Sequence, residues 1–397
     1  MRILFLTSEV PYPARSGGTI KTISVLEHIQ RDHEVHVLCL RSEPLSPEQE
    51  AWTGEIGPVV TVALRRGRSA WNLLRSYGAG VPMSVLRNRS RRMSRLASER
   101  LASGGFDAAF ADGWLMAQYV PATFQGLRML HEHNAEHVMW RRQADLETGS
   151  ARRALVRLEH TRVRAYESAI VRGFDVVFAV SEDDRRALDG LGTRPGSVRL
   201  LPNVPQVGLL DRPSLHPPAE PTLLFLGTLG WPPNAEGLRR FLRSGFPALR
   251  ARRPDVRLVL AGIGAPSWLV RLASDTPGVE HTGPIPDPEP LYRRARAFVE
   301  VGLGGSGTRV KVLNAMARGV PVVSLPWGVE GLNGVPGDHA LVGRNEAELV
   351  DLLGEVLDDD ARWRVLSEGG RRLVRERYVP EIAFASLDAA LAASSDT

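Results

Sequence analysis

Residues 297–325 read AFVEVGLGGSGTRVKVLNAMARGVPVVSL. The apolar run 297–301 predicts a strand, the glycine-rich run 302–307 a tight loop, and 308–318 a helix. A second apolar run, 321–325, predicts the next strand, which completes a βαβ unit. Within the helix Val310, Leu313 and Ala317 recur at helical spacing and predict its buried stripe, while Lys311, Asn314 and Arg318 fall on another stripe. Glycines at a helix N-terminus let a ligand approach backbone N–H groups, and the helix dipole favours an anion there. Lys311 on a phosphate and Asn314 on a sugar hydroxyl are the roles this pattern allows.

The same alternation runs outward along the chain. Upstream strands are expected at 2–7, 34–40, 58–64, 107–111, 128–131, 174–180 and 198–201, with helices over 19–31 and about 135–171. Further strands are expected at 222–227, 256–261 and 279–282. Most are continuous apolar runs, as a parallel sheet covered on both faces requires. Between the two arrays six prolines fall in residues 202–221, which reads as a stiff linker. The expectation is therefore an α/β chain of two doubly wound, Rossmann-like domains, residues 1–203 and 204–375, facing each other across a cleft. A C-terminal helix over about 376–397 is expected to pack back on the first domain.

Composition narrows the class. A chain of 397 residues exceeds what one core serves, and 43% hydrophobic with 24% charged residues is ordinary globular usage. No apolar run reaches spanning length, and the N-terminus MRILFLTSEV lacks the apolar region and cleavage site of a signal peptide. One cysteine, Cys39, leaves no internal disulfide, so a reducing cytoplasm is expected. Of 50 basic side chains only Lys21 and Lys311 are lysine, a skew that coding bias explains for the arginines. The net charge of +5 is local: residues 65–100 hold ten arginines against Glu99, so the rest of the chain is net acidic. That segment suits a solvated helix pair, or peripheral contact with an anionic membrane or acidic acceptor. No nucleic-acid recognition motif accompanies it, so nucleic acid is not an expected partner.

Two other stretches carry chemistry. The loop after the first strand, SEVPYPARSGGTIK, ends in Gly17-Gly18 at a helix start and is a second candidate anion site, although it is neither GxGxxG nor a Walker sequence. The segment HEHNAEH (131–137) offers three histidines and two acids. It is not HExxH, and an extended segment turns alternate side chains to opposite faces, so no metal site is expected. No GxSxG elbow or Cys–His pair is present.

Taken together, RILFLTSEVPYPARSGGTIKT, HEHNAEH, FAVSEDD with LPNV, LLFLGTLGWPPNAEGL, VRLVLAGIG, HTGPIPD and GTRVKVLNAMARGVPVVSLPWGVEGL resemble the retaining GT-B glycosyltransferases (family 4-like, group 1). The resemblance covers nearly the whole chain. It implies a nucleotide-sugar (UDP-, GDP- or dTDP-) held mainly by the second domain as substrate, with no cofactor, and an acceptor held mainly by the first. It also implies metal-independent transfer with retention, in which the leaving phosphate helps deprotonate the acceptor and no protein nucleophile is needed. Gly17 and Gly18 match the glycine pair that approaches the diphosphate. His133, or alternatively His131, matches the histidine on the transferred sugar, and Arg309 with Lys311 matches a basic pair for the diphosphate. Gly227, Thr228, Ser306, Gly307, Thr308, Asn314 and Glu330 complete the expected donor site.

Two departures stand out. The family's paired glutamates, eight positions apart, are here Ser306 and Asn314, and its arginine and lysine after the Phe-Leu-Gly strand give way to Thr228 and Asn234. The first suits a donor whose ribose needs no chelation, such as a dTDP-sugar; the second moves phosphate binding onto Arg309 and Lys311. The expectation is a bacterial, cytoplasmic transferase, with peripheral membrane contact through residues 65–100, serving a polysaccharide, glycolipid or secondary metabolite. The alternative is a degenerate member that binds a nucleotide or partner without turnover.

Overall fold

The computed structural model describes residues 1–395 except Arg15, Arg66, Arg68, Ser69, Thr148, Gly305 and Ser306. The chain forms two compact units: Met1–Pro202 joined by the segment from Ala383 onward, and Asn203–Ile382. The segment that returns to the first unit begins at Ala383 rather than near residue 376, because Leu373, Val374 and Tyr378 are still buried in the second unit's core.

Unit 1 is built on a seven-stranded sheet of β1 (Arg2–Thr7), β2 (Glu34–Arg41), β3 (Val59–Ala63), β4 (Ala108–Asp112), β5 (Leu127–Glu132), β6 (Val176–Ala179) and β7 (Val198–Leu200). Its order is β3-β2-β1-β4-β5-β6-β7 and the pairings are parallel. The strands are apolar on both faces because helices cover both. Leu4, Leu6, Leu38, Ala109, Ala111 and Leu130 share one core with Val171 and Leu188. The helices that matter below are α1 (Gly17–Gln30), α2 (Glu136–Leu146), α3 (Ser150–Gly173) and α4 (Glu182–Asp189). The single long helix expected over about 135–171 is thus two, with Glu147 already extended at the end of α2.

Unit 2 carries six parallel strands, β8 (Thr222–Leu226), β9 (Arg257–Ala261), β10 (Val279–Gly283), β11 (Ala297–Glu300), β12 (Val322–Ser324) and β13 (Leu341–Val342), in the order β10-β9-β8-β11-β12-β13. Helix α5 (Pro232–Arg243) follows β8 and α6 (Val310–Arg318) follows β11. Helix α6 stops at Gly319, whose φ of 87° is left-handed and whose amide closes onto the Ala315 and Met316 carbonyls. In both sheets the strand order reverses beside the first strand, between β1 and β4 and between β8 and β11. Open α/β sheets place ligand crevices at the carboxyl ends of such strands, so the switch points single out the loops after β1, β4, β8 and β11.

The Pro-rich segment is not a spacer. Asn203 Nδ2 donates to the Thr308 carbonyl at 2.6 Å, Arg371 donates to the Leu210 carbonyl, Arg318 to the Pro213 carbonyl, and Leu209 is buried in the unit 2 core. Prolines remove donors but leave carbonyls, and carbonyls of this segment, of Pro213 and of the non-proline Leu210 alike, are what Arg318 and Arg371 hold.

Candidate functional site

In unit 1 the β1/β4 switch point brings together a buried polar group. Parallel register sets Thr7 beside Asp112 and Asp112 beside His131 at the ends of their strands. Asp112 is buried and receives three donors: Thr22 Oγ1 of α1 at 2.5 Å, His131 Nδ1 at 2.8 Å and His133 Nε2 at 2.8 Å. Burial works to raise its carboxyl, yet the charge and hydrogen bonds of His133 and His131 hold it well below the usual carboxylate range. An ionised carboxylate only accepts, so both imidazole nitrogens facing it carry the proton. That fixes which protonated nitrogen of each ring faces Asp112.

The alternation argument therefore works the other way from the sequence expectation. Residues 131 and 133 are two apart, so they share a face and converge on Asp112, while Glu132 turns to the other side. The ligand atoms of Asp112, His131 and His133 lie within 4.8 Å of one another, close enough to hold a metal ion. Both nitrogens, however, stand at hydrogen-bond distance from one oxygen, which describes a clamp on the imidazoles. His131 is fully buried and its pKa is driven well below the ordinary value, first by burial and then by Lys21. His133 keeps 26% of its side chain exposed and is the member that can meet a ligand. His137 does not join them: its ring and backbone amide both bind Glu167 of α3, which also accepts the Glu136 amide and so caps α2.

Gly17 and Gly18 open α1 behind a capping box in which Ser16 Oγ accepts from the Thr19 amide. A Cβ on Gly18 would meet nothing nearer than Ser16 Oγ at 3.8 Å, so packing within the unit does not demand glycine there. Lys21, one turn on, is buried, and its Nζ has no hydrogen-bond partner among the described residues. Burial lowers its pKa to about 7 against the pull of Asp112, Asp184 and Glu132.

In unit 2 the β8/β11 switch point gathers the cations. Lys311 reaches from the first turn of α6 to donate to Asn234 Oδ1 of α5 at 2.8 Å, and its Nζ lies 2.7 Å from Glu300 Oε2 and 4.3 Å from the centre of the Phe225 ring. Its stem runs past Gly227, where a Cβ would stand 3.3 Å from Lys311 Cδ. Asn234 also donates to the Thr228 carbonyl. Arg309, the N-cap of α6, donates to the carbonyls of Gly304 and Trp327 and lies over the Trp231 ring, so it braces the glycine-rich loop. Gly307 adopts a φ of 70°, and Thr308 is buried with its carbonyl on Asn203. Glu330 is half-buried, three residues beyond Trp327. Ser306 lies outside the described residues.

Asn314 does not converge with Lys311. It is buried and its Oδ1 accepts the Gln206 amide at 2.8 Å, so it fastens the Pro-rich segment. Arg318, on the same expected stripe, is spent on Glu289 and the Pro213 carbonyl. A stripe on a helix fixes direction only to within a broad sector, and nearly all of α6 is buried, so its polar members found three separate partners.

The comparisons with known proteins agree with this geometry. Residues 20–204 match the family model of the glycosyl transferase 4-like domain, and residues 220–359 that of the glycosyl transferases group 1. The chain is a glycosyltransferase. Its two sheets are those of the GT-B fold: the glycosyltransferase superposes on sucrose-phosphate synthase from Thermosynechococcus elongatus with a TM-score of 0.71 at 19% identity, covering 100% of both chains. It superposes on Anabaena HepE, solved with UDP and glucose, with a TM-score of 0.67 at 13% identity and 99% coverage of both. A protein encoded in the cps region of Klebsiella pneumoniae is 22% identical over 97% of this glycosyltransferase and 98% of its own length.

Three residues of these sites escaped the sequence reading: Asp112, Glu300 and, as a buried member, Lys21. Asp112 and Glu300 share a signal that was available. Each is the lone acid closing a strand that is otherwise apolar, AAFAD and AFVE, at the carboxyl end where ligand loops begin.

Proposed function

We propose that this glycosyltransferase moves a sugar from a nucleoside diphosphate donor to an acceptor hydroxyl with retention and without a metal ion. In this reading unit 2 holds the nucleotide and unit 1 supplies His133 to the sugar or acceptor. One observation carries it: Lys311, in the first turn of α6, runs its stem past Gly227 and sets its Nζ beside Asn234. The family's lysine is missing from position 234, and an ammonium from α6 reaches that place instead. An ammonium, a guanidinium and a helix N-terminus together offset the charge that grows on a departing diphosphate.

Asn314, being committed to Gln206, leaves no bidentate chelator for a ribose at that position, which suits a dTDP-sugar. HepE, in contrast, binds UDP, so UDP is the comparison that matters. Calorimetric titration of UDP, GDP and dTDP into wild type and Lys311→Ala tests both statements. The expected result is a preference for dTDP and a loss of about 10- to 100-fold in affinity on removing the ammonium. Equal or tighter UDP binding removes the deoxyribose reading, and unchanged binding in Lys311→Ala removes the phosphate site.

The basic stretch 65–100 is the candidate for membrane contact. Within helix Ala70–Gly78, Leu74 and Tyr77 are exposed beside Arg75, and an apolar and cationic helix face suits an anionic bilayer surface. No described helix is long and apolar enough to cross a membrane. Wild type pelleting with anionic liposomes, and Arg87, Arg89, Arg91 and Arg92 neutralised together failing to, is the expected result; wild type staying in the supernatant ends the idea.

A further inference from the structure

Beside the glycine-rich loop stands a carboxylate that the phosphate reading does not use. Glu300 closes β11 with 1% of its surface exposed. Its Oε1 accepts the Gly302 amide at 2.8 Å, and its Oε2 stands 2.7 Å from Lys311 Nζ. A carboxylate taken out of water persists only when its charge is paired and its lone pairs are met. The backbone around it leaves it room: a Cβ on Gly328 would run into Glu300 Cγ, and one on Gly302 would come within 2.7 Å of Glu300 Oε1 and 3.0 Å of Asn234 Oδ1.

Among the described residues four groups face Lys311: Glu300 from β11, the Asn234 amide oxygen from α5, the Phe225 ring from β8, and the Arg309 guanidinium at the start of α6. Only Glu300 among them is negative. Burial lowers the affinity of the amine for its proton and Arg309 acts in the same direction, while Glu300 opposes both.

We infer that Glu300 is the positioning residue of the diphosphate site: its buried carboxylate holds Lys311 Nζ beside Asn234 as an ammonium, ready for the donor. This rests on the reading of Lys311 as the phosphate-facing cation. An ammonium has three N–H donors. Asn234 and Glu300 occupy two, and the third serves an incoming anion.

The test uses UDP as probe and Glu300→Gln, which keeps the shape and removes the charge. On the alkaline side of neutrality the variant is expected to bind UDP about 10- to 100-fold more weakly than wild type. Lowering the pH returns the proton to the amine, so the ratio between the two proteins shrinks toward one. Wild type over the same range accounts for the titration of UDP itself, and Glu300→Asp, which restores the charge, is expected to recover most of the binding. The chain has only two lysines, so lysine-selective isotope labelling gives two side-chain NMR signals, that of Lys311 being the one lost in Lys311→Ala. In Glu300→Gln its titration moves to lower pH. In wild type, with no variant required to fold, it loses its proton over the range where UDP affinity falls. A pH-independent loss of affinity in Glu300→Gln, or an unmoved Lys311 titration, overturns the inference. Wild-type UDP affinity in Lys311→Ala overturns the underlying phosphate reading instead, so the two failures are told apart.

Discussion

Replacing Asp112 by asparagine removes one negative charge and almost nothing of the side chain's shape, and the consequences can be worked from its three bonds. Thr22 Oγ1 at 2.5 Å can turn its hydroxyl to accept from the new amide, so that contact survives with its polarity reversed. His131 and His133, each at 2.8 Å, keep an acceptor but lose its charge. A hydrogen bond to a charged group is worth about 1.5–3 kcal/mol and a neutral one about 0.5–1.5. The two together place the stability loss at about 1–3 kcal/mol. Asp112→Ala leaves the buried Thr22 and His131 donors unmet and is expected to cost about 3–5 kcal/mol. Urea unfolding with an unchanged m-value reads both numbers. In turnover, Asp112→Asn loosens the orientation of His133, so kcat is expected to fall about 100-fold with donor KM within about threefold. An asparagine variant with the wild-type urea midpoint and wild-type kcat refutes the clamp.

Further outcomes follow from other parts of the molecule. Lys21 binds its proton near pH 7 in the folded chain and near 10.5 when unfolded. Between those values the unfolded state holds more protons, so stability rises with pH, and Lys21→Met should flatten that rise in denaturant titrations from about pH 7 to about pH 9. Gly319→Ala forces a side chain into the left-handed φ of 87° and brings Cβ to 3.0 Å from Ser367 Oγ; a loss of about 1–3 kcal/mol is expected in urea, and an unchanged midpoint counts against the cap. Gly18→Ala, in contrast, meets only an ordinary contact with Ser16 Oγ at 3.8 Å, so it should leave the unfolding free energy in urea within about 0.5 kcal/mol while weakening donor-dependent turnover. A drop in both contradicts the ligand-approach reading of Gly18.

Most strands were legible because they are continuous apolar runs with turn residues at their ends, and β1 falls where the run 2–7 places it. β13 was not, since two residues, Leu341 and Val342, make no run at all. The Pro-rich segment misled because proline density reports backbone stiffness and says nothing of what its carbonyls meet; Arg318 and Arg371 met them. Local pattern found the glycine pair, HEHNAEH and the loop before α6. It could not find pairings across sequence: Asp112 lies 19 residues before His131, and Asn314 lies 108 from its partner Gln206. Helical spacing put Lys311 and Asn314 on one stripe, but each side chain turned to a different partner, the buried Glu300 carboxylate for one and the Gln206 amide of the Pro-rich segment for the other. Only the tertiary contacts decide between such partners.

The central claim is sugar transfer from a nucleotide donor, and incubating the purified chain with a panel of UDP-, GDP- and dTDP-sugars while following release of nucleoside diphosphate addresses it most directly. The account predicts release from at least one donor, lost in Lys311→Ala and strongly reduced in Asp112→Asn. Tight binding of a nucleotide with no release from any donor, with or without a sugar or lipid acceptor, contradicts it and leaves a protein that holds nucleotides without turning them over.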